Sequence, residues 1–333
     1  MKRDMKAWLE GLRSADKKKA LPILSFPSVS LLGVSVRDLI GSSELQAEGM
    51  RLIAERTNAL ASVSFMDLSV EAECFGSTIH FADDEVPTVI GRVIESPEDA
   101  DNLVVPKVGT ARSGIYVEAI EKAVQRIPGR PVLAGMIGPF SLAARLMDVS
   151  EAMVNCYDEP EMVETIMEKV TEFLVAYAKA YKEAGAHGVV IAEPVAGMLS
   201  PSLEEEFSAP YVKKIVDAVQ DDGFIVVYHN CGNNVLRMTD SILTTGCAAY
   251  HFGNAIDMAE MMKKMPSDVL VMGNVDPAGT LREGTVDKVK AETTELMAKC
   301  GGYANFIPST GCDIPPLTPW ENIDAFFETV DSF

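Results

Sequence analysis

The stretch EPEMVETIMEKVTEFLVAYAKAYKEAGAHGVVIAE, residues 159–193, carries two structural periods in succession. Up to Gly185 and Ala186, apolar residues return every three to four positions, the spacing of one helix face. From His187 to Glu193 the chain is a short, continuous apolar run rich in β-branched residues. That is the composition of a strand buried on both faces. An amphipathic helix leading straight into such a strand is half of a parallel βαβ unit.

Seven further runs read the same way: PILSFPS (22–28), ASVSFMDL (61–68), PVLAGMIG (131–138), FIVVYHN (224–230), AAYHFG (248–253), VLVMGNV (269–275) and YANFIPS (303–309). Helical patterns such as AEMMKKM (259–265) lie between most of them. Eight strands alternating with helices predict an α/β fold, a closed (β/α)8 TIM barrel, rather than an open doubly wound sheet. No GxGxxG follows the first strand, which weakens a dinucleotide-binding reading. One stretch departs from the pattern. CFGSTIHFADDEVPTVIGRVI (74–94) alternates and contains Pro87 and Gly91, which predicts a β-hairpin inserted after strand two. With no linker, repeat or low-complexity tract, residues 1–333 are expected to form one domain.

Composition narrows the function classes. The chain is 47% hydrophobic and carries 29 Lys and Arg against 49 Asp and Glu, a net charge of -20. Such a surface argues against nucleic acid and anionic membranes as partners. No leader-like segment and no stretch of about 18 apolar residues is present, so a cytoplasmic protein is expected. The six cysteines are scattered, which favours free thiols or metal ligands over disulfides.

In such a barrel the active site lies at the C-terminal ends of the strands. The polar residues expected at that rim are Asp67, Glu193, His229, Cys231, His251, Asn274, Asp276 and Cys312. His229 and Cys231 stand two apart in a segment leaving a strand, so both side chains point the same way. Cys312 follows the last strand and reaches the same mouth. One imidazole and two thiolates make a good zinc set, and three protein ligands leave a fourth position open, as in catalytic sites. The alternative is a hydrogen-bonded rim histidine beside two buried thiols acting as small hydrophobes. Cys74, Cys156, Cys247 and Cys300 lack such context and read as core or surface thiols.

FMDLSVEAECFG (65–76), GPFSLAARL (138–146), IAEPVAGMLSP (191–201), YHNCGN (228–233), GNVDP (273–277) and STGCDIPPLTPWENI (309–323) resemble the uroporphyrinogen decarboxylase superfamily. Within it they are most similar to the methylcobamide:thiol methyltransferases, whose best-known members methylate coenzyme M. The departures from the decarboxylases support that branch. Their arginine-rich segment near the start corresponds here to FPSVSLLGVSVRDLI (26–40), with Arg37 alone. Where this chain has Cys312 they have a histidine, near Arg145 they have a tyrosine, and they lack the His-x-Cys pair. Asp67 matches their catalytic aspartate, but the methyltransferase branch also carries an acid there.

The resemblance implies transfer of a methyl group from a methylated corrinoid, held on a separate protein that docks transiently at the barrel mouth, to a small thiol. It implies zinc held by His229, Cys231 and Cys312. Glu193 is then a fourth ligand or the base for the thiol proton, and Asp67 an orienting acid. Glu71, Arg145, His251, Asn274 and Asp276 are the candidates for holding substrate or supporting a ligand. The competing readings are a tetrapyrrole decarboxylase and a non-catalytic barrel that binds a corrinoid or a metal.

Overall fold

A computed structural model of the protein describes residues 2–333. Seven parallel strands form one curled sheet, as in a TIM barrel, in the order β1 (Ser62–Val63), β4 (Val132–Ile137), β5 (Gly188–Ala192), β6 (Ile225–Asn230), β7 (Ala249–Phe252), β8 (Leu270–Val275) and β9 (Phe306–Thr310). β2 (Thr78–His80) and β3 (Thr88–Ile90) pair antiparallel as the expected hairpin. The helix expected over 159–186 runs Pro160–Glu183 and turns into β5 through Gly185, at φ +94°. Among the described residues no helix is long and apolar enough to cross a membrane.

The run 22–28 is not a ladder strand. It starts extended and ends in a turn that opens the helix Ser28–Leu32. Prolines explain this. Pro22 and Pro27 have no N–H to donate, and neither does Pro308 on the facing strand β9. What remains is a set of single bonds. Leu21 N–H donates to Pro308 O (3.0 Å), Leu60 N–H donates to Ala20 O (2.9 Å) and Ile314 N–H donates to Ile23 O (3.0 Å). The extended segment therefore bridges the two edges of the sheet in the place of an eighth strand.

Alternation sorts the strand residues. Val189, Ile191, Val226, Tyr228, Tyr250, Phe252, Val271 and Phe306 belong to the large cluster shared with the helices. Val190, Ala192, Ile225, Val227, Ala249, Leu270, Met272 and Ile307 belong to a second, inner cluster. Met5 joins that inner cluster, and Trp8, Leu9 and Leu12 pack against it, so the helix Met5–Arg13 seals the N-terminal end of the barrel. His229, His251 and Ser309 share the parity of Val227, Ala249 and Ile307. They continue the inner layers upward to the open mouth.

Glycines let the rim loops meet. A Cβ on Gly253 would lie 2.5 Å from both Cα and Cβ of Cys231 and 3.1 Å from Gly311 O. Gly253→Ala is expected to lower stability by about 1–3 kcal/mol through this overpacking. Gly129→Ala, where nothing lies within 4 Å of the new Cβ, should stay within roughly 0.5 kcal/mol. Urea unfolding midpoints of the two variants check both expectations.

A candidate metal centre at the barrel mouth

His229 ends β6 on the inner side and is 2% exposed. Asn230, pointing outward, holds the chain at that point. Its Nδ2 donates to Tyr228 Oη (2.9 Å) and its Oδ1 accepts from Gly232 N–H (2.9 Å), which forces a tight turn around Cys231. On the far side, Thr310 Oγ1 donates to Cys312 O (2.8 Å). One ligand atom from each of His229, Cys231 and Cys312 lies within 4.8 Å of the others. Cys312 Sγ is 3.5 Å from His229 Nε2. Tetrahedral bonds of about 2.3 Å to sulfur and 2.0 Å to nitrogen place those two atoms roughly 3.5 Å apart. The donor set and its spacing fit a metal such as zinc.

A hydrogen-bond chain sets which nitrogen of His229 faces the thiols. Ser309 Oγ–H donates to Leu21 O (2.7 Å), so the hydroxyl accepts from His251 Nε2–H (2.8 Å). Burial first, and then His229, hold His251 well below the usual histidine range, so its ring is neutral and Nδ1 carries a lone pair. That lone pair accepts from His229 Nδ1–H at 2.8 Å. His229 Nε2 is thereby left with its lone pair towards the cysteines. Backing of this kind orients a metal-binding imidazole and fixes its tautomer.

The two thiols share a proton. The hydrogen bond from Cys312 pulls Cys231 down to about 4 despite its burial. Cys312, as the donor, is pushed up. Elsewhere burial dominates, raising Cys74 and Cys300 to about 11 and Cys156 and Cys247 to about 12. Those four behave as small hydrophobes.

Glu193 stands beside the cluster but its carboxylate turns towards the helix Pro139–Met147. It accepts from Phe140 N–H and Ser141 N–H, both at 2.9 Å, and from Ser141 Oγ–H at 2.7 Å. It caps the positive end of that helix, and Gly138 leaves the space for it, since a Cβ there would overlap the Glu193 side chain. Burial raises its pKa to about 7. Glu193 is not one of the residues whose ligand atoms converge.

Asp67 is buried in a network that sequence reading missed. Arg112 Nη1 donates to one of its oxygens, Tyr116 Oη donates to the same oxygen (2.8 Å), and Ser69 donates to the other. Arg112 also binds Glu73 (2.7 Å) and lies over the Phe81 ring. Its distance in sequence from Asp67 left no local signal. Glu71 Oε1 accepts from Ile137 N–H (3.0 Å), Oε2 has no partner, and burial raises its pKa to about 8.

The other candidates have mainly structural surroundings. Asn274 donates to Gly253 O and Ile256 O (both 3.0 Å), bracing the loop after β7. Asp276 caps the helical turn Pro277–Arg282. Arg145 is half-buried and makes no ion pair or hydrogen bond among the described residues. His187 accepts from Val132 N–H at 3.1 Å, and His80 is exposed on the hairpin. Arg37, the lone arginine of 26–40, pairs with Asp83 at the surface (3.0 Å).

The sequence profile of the uroporphyrinogen decarboxylase (URO-D) family matches residues 28–333. The chain belongs to the uroporphyrinogen decarboxylase family. Family members of both kinds resemble it. A methylcobamide:CoM methyltransferase, MtbA, of Methanosarcina mazei is 29% identical over 297 residues, covering 86% of this chain and 85% of that one. A uroporphyrinogen decarboxylase of Coxiella burnetii is 27% identical over 282 residues, covering 82% and 77%. The solved structure of a methyltransferase from Methanosarcina mazei superposes with a TM-score of 0.86 at 27% identity, covering 98% of this chain and 97% of that one.

Two measurements follow from this geometry. His251→Leu should weaken zinc binding by about 10–100-fold, read by competition with a chromogenic chelator. In the metal-free, reduced protein at pH 6, Cys231 lies above its pKa of about 4, whereas the four core thiols lie far below theirs of about 11 to 12. Iodoacetamide followed by peptide mass mapping should therefore label Cys231 well ahead of those four.

Proposed function

We propose that this chain is a zinc-dependent methyltransferase that moves a methyl group from a methylated corrinoid, carried by a partner protein, to a small thiol. The observation that carries the reading is the convergence of His229, Cys231 and Cys312 at the mouth, with His229 Nε2 freed for a metal by the chain through His251 and Ser309. The resemblance to methylcobamide:CoM methyltransferases over most of the chain supports it.

Zinc bound there would take the acceptor thiol at its open position and hold it as a thiolate, whereas a free thiol near pKa 8.5 is mostly protonated at neutral pH. The protein's own groups prepare that outcome. Cys231 and Cys312 share one proton, which leaves when a cation replaces it. His251 and Ser309 keep His229 in the ligating tautomer. Glu193 holds the start of the helix Pro139–Met147 beside the site, and Arg112 locks Asp67 at the rim. Exposed Met198 and Leu317, on the loops after β5 and β9, offer apolar footing for a corrinoid-bearing partner over the mouth.

The decarboxylase reading has less support. Arg37 faces Asp83 at the surface, and a net charge of -20 opposes a polycarboxylate substrate.

Elemental mass spectrometry of the purified protein should find about one zinc per chain in wild type and a strong loss in Cys312→Ala. Demethylation of methylcobalamin by small thiols, followed by absorbance, should fall in that variant by more than the roughly 10–100-fold typical of an outer-shell change. A wild-type protein that takes up no zinc under reducing conditions sinks the proposal.

A further inference from the structure

At the rim lies a cavity of about 260 Å3 that the chemistry above does not use. Its apolar wall includes Phe26, Val86 and Ile314, and its polar wall is Glu85, Arg282 and Asp313. These residues come from the rim: the end of the segment that bridges the sheet edges, the tip of the β2–β3 hairpin, the turn after β8 and the loop after β9. Asp313 directly follows Cys312, and successive Cα atoms are about 3.8 Å apart. The cavity thus begins one residue from a candidate metal ligand.

Two of its polar side chains, Asp313 and Arg282, lack partners among the described residues. The two carboxyl oxygens of Asp313 are shielded from solvent and accept no hydrogen bond. The N–H groups of Met66 and Ile314 lie nearby, outside hydrogen-bonding geometry. Arg282 makes no ion pair or hydrogen bond among the described residues, and Glu85 is exposed and unpaired. Arg282 and Asp313 do not pair with each other across the cavity. A buried carboxyl without a donor and a half-buried guanidinium without an acceptor are unfavourable in the free protein. They become favourable when a ligand brings the opposite charges. A cation for Asp313 and an anion for Arg282 describe one zwitterion. The overall charge of -20 adds a long-range preference against an acceptor that is purely anionic.

We propose that this cavity holds the tail of the acceptor and that the acceptor is an amino-acid thiol, its ammonium on Asp313 and its carboxylate on Arg282. The inference rests on the thiol methyl transfer proposed above and specifies its substrate class. The transfer balances in the ordinary way. The sulfur supplies the electron pair of the new S–CH3 bond, the Co–C pair stays on cobalt, which goes from Co(III) to Co(I), and the thiol proton passes to water.

The test uses the zinc-loaded protein, methylcobalamin and four thiols: L-homocysteine (both charges), cysteamine (cation), 2-mercaptoethanesulfonate (anion) and 2-mercaptoethanol (neutral). kcat/KM for homocysteine should exceed that for each of the others by tenfold or more. The ratio of homocysteine to mercaptoethanol should collapse at least tenfold in Arg282→Gln and in Asp313→Asn. Calorimetric binding of L-methionine, the methylated product without a free thiol, should weaken tenfold or more in both variants. Zinc content is measured alongside. If Asp313→Asn loses zinc, Arg282→Gln, thirty positions from Cys312, decides alone. Mercaptoethanesulfonate as the best acceptor, or a homocysteine preference indifferent to Arg282, overturns the inference. If zinc binds but no thiol demethylates methylcobalamin, the methyl-transfer reading itself fails. Methionine binding insensitive to Arg282 then removes the subsite as well.

Discussion

The hydrogen bond between His229 and His251 is the interaction on which the mouth of this barrel depends. It exists because parallel register sets the two histidines opposite each other on β6 and β7, both facing inward. Two imidazoles in contact must divide their protons, and the division is imposed from outside the pair. Ser309 uses its hydrogen on the carbonyl of Leu21, so it can only accept from His251. The segment that bridges the sheet edges therefore reaches the cysteine pair through four groups in a row. A barrel that failed to bring Leu21 beside β9 would leave the tautomer of His229 undetermined.

Around that centre the buried acids do different jobs, and their partners separate them. Asp67 is matched by Arg112, Tyr116 and Ser69. Glu193 receives three donors from one helix start, yet complete burial still raises it to about 7. Glu71 has one donor and one orphan oxygen, and is raised further, to about 8. Of Glu193 and Glu71, the one with fewer donors is raised further. Asp313, with no donor, stands at the end of that series.

The fold was largely legible because its signal is local. A helix of 3.6-residue period running into an apolar strand repeats along the chain, and seven of the eight expected strands form the parallel ladder. The eighth, 22–28, reads as a strand by composition, but the prolines on both facing segments remove the donors that a ladder needs. The hairpin at 74–94 was legible for the same local reason: alternation broken by Pro87 and Gly91. The convergence of His229, Cys231 and Cys312 was legible in part, since two ligands stand two apart where the chain leaves one strand and the third follows the last. Arg112 was not, because a loop carries it to Asp67 from 45 positions away.

The sequence by itself determined the period of each element, the shared direction of His229 and Cys231, and the donor types available at the rim. These follow from neighbours in the chain and from the fixed pleat of a strand. Tertiary structure alone decided which nitrogen of His229 is free, that Glu193 caps a helix, that Arg112 answers Asp67, and that Arg282 and Asp313 share a cavity without pairing. Each of these depends on a partner dozens or hundreds of positions away. Sequence spacing carries no information about such distances until the sheet has curled.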